Sequence, residues 1–453
     1  MKIVPLTPIA NSGDQLKEAD EIIEDCVHYG FCVSVCPTYV VTGNELESPR
    51  GRIGLIEDML RSKSEPSRET VEHIDQCLSC QSCMSTCAAS VDYAHLVDTA
   101  REHIEKHYKR RFRERLQRSF IASVIPHAGR MNLALYAGRL AKPFAKMLPG
   151  QMREMINLVP ASAPKKSEFS DARVLPAEGA LRMRVALVLG CAQQVLGASI
   201  NDAAIRLLRR HGCEVVIPQF ECCGALTLHM GRKKQAQRSA SSAIDAMVEI
   251  DSTMGLDAIV VTASGCGTTM KDYGHLFSDG ASEQDVRVAG RIACLVRDIT
   301  EVLEQLGIQP DADKHGLRVA YHDACSLQHG QRIKGAPRNL LRSAGFHVHD
   351  VPEGHFCCGS AGTYNMLQPE MAKTLGQRKA HNIASTGAQV AAAGNLGCIE
   401  QLERFLGLPI VHTVELLDWA TGGPAPDRLR EVIASSRDDN ATSQTNQAEA
   451  ELW

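Results

Sequence analysis

The chain has 453 residues, 49 lysines and arginines against 53 acids for a net charge of −4, and 44% hydrophobic content. That balance excludes bulk disorder, and the lack of a basic excess, with few aromatic rings for stacking bases, argues against a nucleic-acid partner. The length predicts about three domains, and 17 cysteines are too sparse for a small disulfide scaffold. No secretory h-region opens the chain and no apolar run reaches membrane-spanning length, so the expected setting is cytoplasmic and reduced. There, clustered cysteines point to metal ligation or catalysis rather than disulfides.

Residues 1–108 are expected to form a small helical domain, with helical patterns over 14–26 and 96–108 and loop signals at Pro37, Gly43 and 48–51. It holds seven cysteines. Cys77-Leu-Ser-Cys80-Gln-Ser-Cys83-Met-Ser-Thr-Cys87 has the spacing C-x2-C-x2-C-x3-C. Three thiolates so spaced wrap one cubane iron-sulfur cluster and the fourth reaches a neighbouring one; zinc would want two Cys-x2-Cys hooks farther apart. Upstream, Cys26, Cys32 and Cys36-Pro37 repeat the framework with Tyr29 where a second cysteine belongs. Cys36, Cys77, Cys80 and Cys83 therefore make a complete [4Fe-4S] site, and Cys26, Cys32 and Cys87 a second one short of a ligand. That site could hold a [3Fe-4S] cluster, a [4Fe-4S] cluster completed by Tyr29, His28 or water, or nothing; a phenol is a poor soft-metal ligand.

Residues 109–180 read as a connector. A basic run, Lys109 to Arg115, is expected to be a solvated helix face, with docking to a partner or an anionic membrane surface as the alternative, and amphipathic and Pro/Ala/Ser-rich text follows, giving a linker with one or two docking helices.

Residues 181–312 and 313–423 are an internal duplication. Arg184-Val-Ala186 leads to Cys191 as Arg318-Val-Ala320 leads to Cys325; Gly212 recurs as Gly345, Pro218 as Pro352, Cys222-Cys-Gly224 as Cys357-Cys-Gly359, and Gly265-Cys266 as Gly397-Cys398. Short apolar runs alternate with helical stretches, which predicts a parallel sheet covered by helices, with the cysteines just past the strands where ligands bind. Cys191, Cys222, Cys223 and Cys266 would gather in one copy, and Cys325, Cys357, Cys358 and Cys398 in the other. Four thiolates suffice for a cluster, while a redox-active thiol pair or simple buried packing are the alternatives. Cys213 and Cys294 fall outside the repeat and are expected in the core. His229, His322, His355 and His412 are expected to be hydrogen-bonded packing residues. No G-x-G-x-x-G or phosphate loop marks a flavin or nicotinamide site, and no catalytic residue is assigned. Residues 424–453 are expected to be a disordered tail. The fold class is α+β: an all-helical, two-cluster ferredoxin-like domain, then two tandem α/β cysteine-rich domains.

Several segments together resemble the iron-sulfur subunit of glycolate oxidase: Cys26 through Cys36-Pro-Thr-Tyr39, residues 43–53, Cys77 to Cys87, Val91-Asp-Tyr93, Ala263-Ser-Gly-Cys-Gly267, Lys271-Asp-Tyr-Gly274, Cys357 to Tyr364 and Gly397-Cys398. Tyr29 for cysteine and Ala88 for proline depart from that pattern. The Cys-Cys-Gly repeats are similar to those of heterodisulfide reductase and of lactate-utilisation and anaerobic glycerol-3-phosphate dehydrogenase subunits, where a fuller pattern ending in Cys-x2-Cys holds a non-cubane cluster; here the fifth cysteine is missing after Cys266 and Cys398. The resemblance implies a non-flavin subunit of a glycolate dehydrogenase complex, not catalytic alone. It would take electrons from FAD-containing subunits that oxidise glycolate to glyoxylate and pass them towards a quinone or other membrane acceptor. A D-lactate or glycerol-3-phosphate dehydrogenase subunit, or a thiol/disulfide catalyst, are the alternatives. The location would be cytoplasmic, or peripheral on the inner membrane face through the complex.

Overall fold

The computed structural model describes residues 14–61, 65–147, 150–160, 166–170, 172–310 and 316–434. Its N-terminal part is helical. Helices Asp14–Glu24, Pro49–Arg61, Arg68–Asp75 and Tyr93–His107 turn apolar faces inward around Ile56, Ile74, Leu96, Ala100 and Ile104, all with essentially no exposure. Ser67 caps Arg68–Asp75 by accepting from the Thr70 amide, and Asp92 caps Tyr93–His107 through the His95 amide. The cysteines sit on the short turns between these helices: Cys36 precedes the Pro37–Thr42 helix, whose proline occupies the first turn, and Cys83 lies in Ser82–Thr86.

The connector is more helical than its composition suggested. Helices Phe112–Val124, Ala128–Ala141 and Gly150–Asn157, with a 3-10 turn over Lys142–Met147, pack partly on the body through Arg118, Ile121, Ala122 and Met131.

Each repeat builds one sheet. The first comprises β1 (Val174–Leu175), β2 (Met183–Val188), β3 (Cys213–Val216), β4 (Ala258–Val261) and β5 (Val296–Asp298), and the second β6 (Arg318–His322), β7 (His347–Asp350), β8 (Val390–Ala393) and β9 (Ile410–His412). The orders are β1-β3-β2-β4-β5 and β7-β6-β8-β9. All neighbours are parallel except the short β1, which runs antiparallel to β3. Setting β1 aside, the two orders are identical, so the duplication in the sequence is a duplication of topology. β4 and β8 are buried end to end, as expected for parallel strands covered on both faces.

In both copies the chain leaves the first strand, forms the second on one side, then returns to form the third on the other. The cysteines occupy the crevice at that reversal, beyond the strands' carboxyl ends. The described part of the tail is ordered: Leu429 is fully buried and Val432 and Ile433 pack on the second repeat's core. Residues 435–453 lie outside the described residues. No described helix is long and apolar enough to cross a membrane.

Candidate metal centres

All 17 cysteines are free thiols, and 15 of them collect into the four groups anticipated from spacing. In the first, Cys36, Cys77, Cys80 and Cys83 are buried together. Burial pushes the Cys83 thiol well up, and the neighbouring Cys80, Cys77, Cys36 and Cys32 push it further; Cys80 is raised by burial and then by Cys325 of the second repeat. Thiols so crowded cannot all ionise without a compensating positive charge, which a metal core supplies. One compensating group is already built in. Burial alone would lower the Arg52 guanidinium, but Cys77, Tyr93, Cys36 and Glu47 hold it charged. It is 1% exposed, with Nη1 3.9 Å from Cys36 Sγ, Nη2 2.5 Å from Glu47 and Nε donating to the His73 carbonyl at 2.8 Å. Arg52 lies in the 43–53 segment, and nothing in its local sequence marks a buried arginine.

The second group, Cys26, Cys32 and Cys87, is half-buried. Cys32 is raised by burial and, through charge repulsion, by Cys26 and Cys87, so the three do converge. Tyr29 does not turn inward: its side chain is 71% exposed and stacks on Phe31 with ring centroids 6.1 Å apart.

The repeats hold the other two groups. Gly224 and Gly359 have φ of +92° and +85°, and a Cβ on either would lie 2.7 or 2.6 Å from the carbonyl oxygen of Ala236 or Ala372. Only glycine allows that turn, and its amide donates to the first thiol of the pair, Cys222 or Cys357, at 3.4 Å. In the first repeat Cys191 is pushed up by its hydrogen bond with Cys222 and then by burial, and Cys223 by its contacts with Cys222 and Cys266. In the second, Cys325 and Cys357 sulfurs are 3.8 Å apart, Cys325 being raised by that contact and by burial; Cys358 contacts Cys357 and Cys398. Lys379, 2% exposed, donates to the Glu353 carbonyl at 2.6 Å. Burial lowers its pKa while Cys358 and Cys357 hold it up.

Cys213 is in the core, whereas Cys294, expected there, is exposed: it falls near the end of the Glu283–Leu295 helix, whose inward residues are Ala289, Ile292 and Ala293. Among the histidines, His412 donates or accepts at Thr262 and Val414, and His229 pairs with Asp98 at 3.4 Å. His322 departs from expectation. It is 1% exposed, neither ring nitrogen has a hydrogen-bond partner among the described residues, and a ring nitrogen lies with the Cys358 and Cys398 sulfurs in a group whose members are all within 4.8 Å. Burial lowers its pKa to about 3. Its only sequence signal was lying three residues before Cys325.

The groups adjoin one another. Cys80 and Leu78 share an apolar cluster with Cys357, Tyr364 and Cys325, while Cys32 is close enough to Cys83 to raise it. A cavity of about 2150 Å³, lined by the connector helices and by cysteines of both repeats, opens beside them. The donor chemistry, sets of four thiols that are all or mostly buried and one set of three half-buried ones, with no disulfide, fits iron-sulfur clusters.

A model of a 4Fe-4S dicluster domain matches residues 22–91, and one of a cysteine-rich domain matches residues 185–271 and 319–403. The chain is 34% identical to the glycolate oxidase iron-sulfur subunit of Escherichia coli (strain K12) over 89% of its own length and 95% of the relative's. It is 31% identical to the probable glycolate oxidase iron-sulfur subunit of Bacillus subtilis (strain 168), over 91% and 97%. Lactate utilization protein A of Oceanobacillus iheyensis is 25% identical and aligns with 52% of the chain and 97% of itself. A crystal structure of a hypothetical protein from Helicobacter pylori shares the fold, with a TM-score of 0.53, 10% identity, and 92% of this chain and 74% of that one covered.

Proposed function

The chain belongs to the glycolate oxidase iron-sulfur subunit family, and on that premise we propose that it receives electrons from a flavoprotein that oxidises glycolate to glyoxylate and relays them to a lipid-soluble quinone. It is an iron-sulfur electron-transfer subunit of an oxidoreductase. Clusters bound at its cysteines supply one-electron storage; the chain's own residues hold those sites in contact and dry.

The observation that carries the reading is the seam between modules. Cys80 of the complete site is buried against Cys325 and Cys357 of the second repeat, and Cys32 of the three-cysteine site adjoins Cys83. Three sites thus follow in contact order, from a half-exposed one to one facing the large cavity. At the exposed end, Val27, Tyr29 and Phe31 are more than half exposed; this apolar rim suits docking of the flavoprotein, and its cysteines are where electrons would arrive. At the other end, the cavity wall is the connector. Phe112, Leu116, Leu133, Tyr136, Leu140 and Phe144 are exposed there, within a stretch, 109–147, of ten lysines and arginines and one acid, Glu114; Arg110 and Arg118 are buried against Asp75, and the others carry the positive charge of the stretch. Apolar side chains set among basic ones suit an anionic lipid surface, so this face supports a membrane acceptor. Inside the cytoplasm, at the membrane's inner face, is the location this implies.

The test is the purified complex with glycolate as donor and decylubiquinone as acceptor. With Cys80→Ser, flavin reduction should proceed unchanged while quinone reduction falls. Unchanged quinone reduction in a variant lacking that cluster sinks the relay. Faster flavin reduction by D-lactate than by glycolate would reassign the donor. Because Tyr29 points to solvent, the second site is proposed as [3Fe-4S]; Tyr29→Cys should convert its oxidised electron paramagnetic resonance signal and raise iron by about one per chain, and an unaltered spectrum refutes this.

A further inference from the structure

We infer that His322 is a nitrogen ligand of the second repeat's cluster, so that this site has a mixed thiolate and imidazole donor set while the first repeat's is thiolate only. The inference rests on the reading that the second repeat holds a cluster.

Apart from β1 the two sheets share strand order and pairing register, which fixes the equivalent of His322. Arg184 and Arg318 begin the matching runs, and in register Val188 pairs with Val261 as His322 pairs with Ala393. Val188 is thus the counterpart of His322: one copy has an isopropyl group at the strand's carboxyl end, the other an imidazole. A fully buried imidazole without a partner pays its desolvation with nothing in return, and native folds leave few such groups unexplained. The explanation is in the donors beside it, the Cys358 and Cys398 sulfurs, all within 4.8 Å. Cys325 and Cys357 complete the rim, 3.8 Å apart. Metal-bound histidines normally use their second nitrogen for a hydrogen bond, but here both nitrogens lack protein partners, so one is free to bind iron whichever way the ring is turned. The site also lacks the extra cysteine after Cys398; an imidazole approaching from β6 supplies a fifth donor from a different direction. Where a fifth cysteine would add a thiolate charge, a neutral imidazole adds none, so the donor set keeps the charge of four thiolates.

The measurement uses the full chain with its clusters reduced. Protein grown with 15N-histidine is compared with unlabelled protein by pulsed electron paramagnetic resonance, following the signal that vanishes in Cys398→Ser. The expected result is a nitrogen coupling of the strength of a directly bound imidazole, with the isotope pattern switching on labelling and the coupling absent in His322→Gln. His322→Cys should keep the cluster but lose the coupling. His322→Gln should also release iron to a chelator at least about tenfold faster than the unaltered chain. A signal with no strong nitrogen coupling, or one that persists in His322→Gln, overturns the inference while leaving the cluster in place. If no signal depends on Cys398, the cluster reading of the second repeat falls and takes the ligand with it. The isotope comparison needs no substitution at His322, so a variant that fails to fold does not protect the idea.

Discussion

The two cysteine-rich repeats share a sheet order, a Cys-Cys-Gly turn and a positive-φ glycine pressed on a helix carbonyl, yet they are bound to the rest of the molecule by different chemistry. The second meets the helical module through buried apolar and sulfur contacts: Cys80 against Cys325 and Cys357, with Tyr364 donating to the Gln76 carbonyl at 3.1 Å. The first meets it through charge: His95 on Asp272 at 2.8 Å, His229 on Asp98, and Arg232 on Glu105 at 3.2 Å. Around the cysteines the difference recurs. The second repeat adds a buried imidazole and the buried ammonium of Lys379; the first has Val188 at the imidazole's place. Duplication preserves what the backbone demands, because the turn and the sheet tolerate little change, and leaves side chains beside the site free to diverge.

The largest expected effect separates the copies directly. Cys357→Ser with Cys358→Ser should lower glycolate-to-quinone turnover about 100-fold, a barrier increase of about 3 kcal/mol, whereas Cys222→Ser with Cys223→Ser should leave a substantially larger rate, since Cys80 of the complete helical-module site shares a buried cluster with Cys325 and Cys357 of the second repeat. Equal losses would break the comparison. Steady-state rates on complexes matched for flavin content decide it.

Next comes pH. Burial would lower His95, but its hydrogen bonds to Asp272 and Asp92 raise it to about 10; on its own side sits Asp92 at 2.7 Å, and on the facing side Asp272 and the stacked His275 ring, 3.4 Å between centroids. A raised pKa means that the stabilisation is complete below the unfolded value near 6.5 and is lost as the pH climbs towards about 10. The first repeat's seam should therefore loosen between those limits while the second repeat's, which lacks this pair, should not. Amide hydrogen exchange at pH 6.5 and at pH 9 checks it, and His95→Gln should cost about 1–3 kcal/mol in denaturant unfolding at pH 6.5 and remove the pH trend.

The smallest effect is electrostatic. Lys379→Met deletes a cation buried beside Cys357 and Cys358 and should lower the second repeat's reduction potential by about 60 mV, one tenfold step for a single electron. Potentiometric titration should find the first repeat unmoved, and a shift in both would mean that the two are not electrostatically separate.

Much of the site was legible because cysteine spacing acts locally. The C-x2-C-x2-C-x3-C run and the paired Cys-Cys-Gly turns put thiols on tight turns whatever lies around them, and all four groups form as spacing implied. The helices and strands of the repeats were legible for a like reason, since apolar period and turn glycines are written in neighbouring residues. Arg52, His322 and Lys379 were not, because each is ordinary in its own segment and becomes unusual only when burial removes water from it. Cys294 shows the converse: falling outside the repeat suggested a core position, but the helix turns it outward.

The sequence by itself determined the module order, the duplication, the grouping of the thiols and the absence of a cysteine at Tyr29, for these are matters of residue identity and short spacing. Tertiary structure alone decided which sites adjoin, that the complete site faces the second repeat, that Tyr29 turns to solvent, and which charged or imidazole groups share the thiols' interior. Those outcomes depend on contacts between residues hundreds of positions apart, and on a low-dielectric interior that gives an unremarkable arginine, lysine or histidine its electrostatic weight.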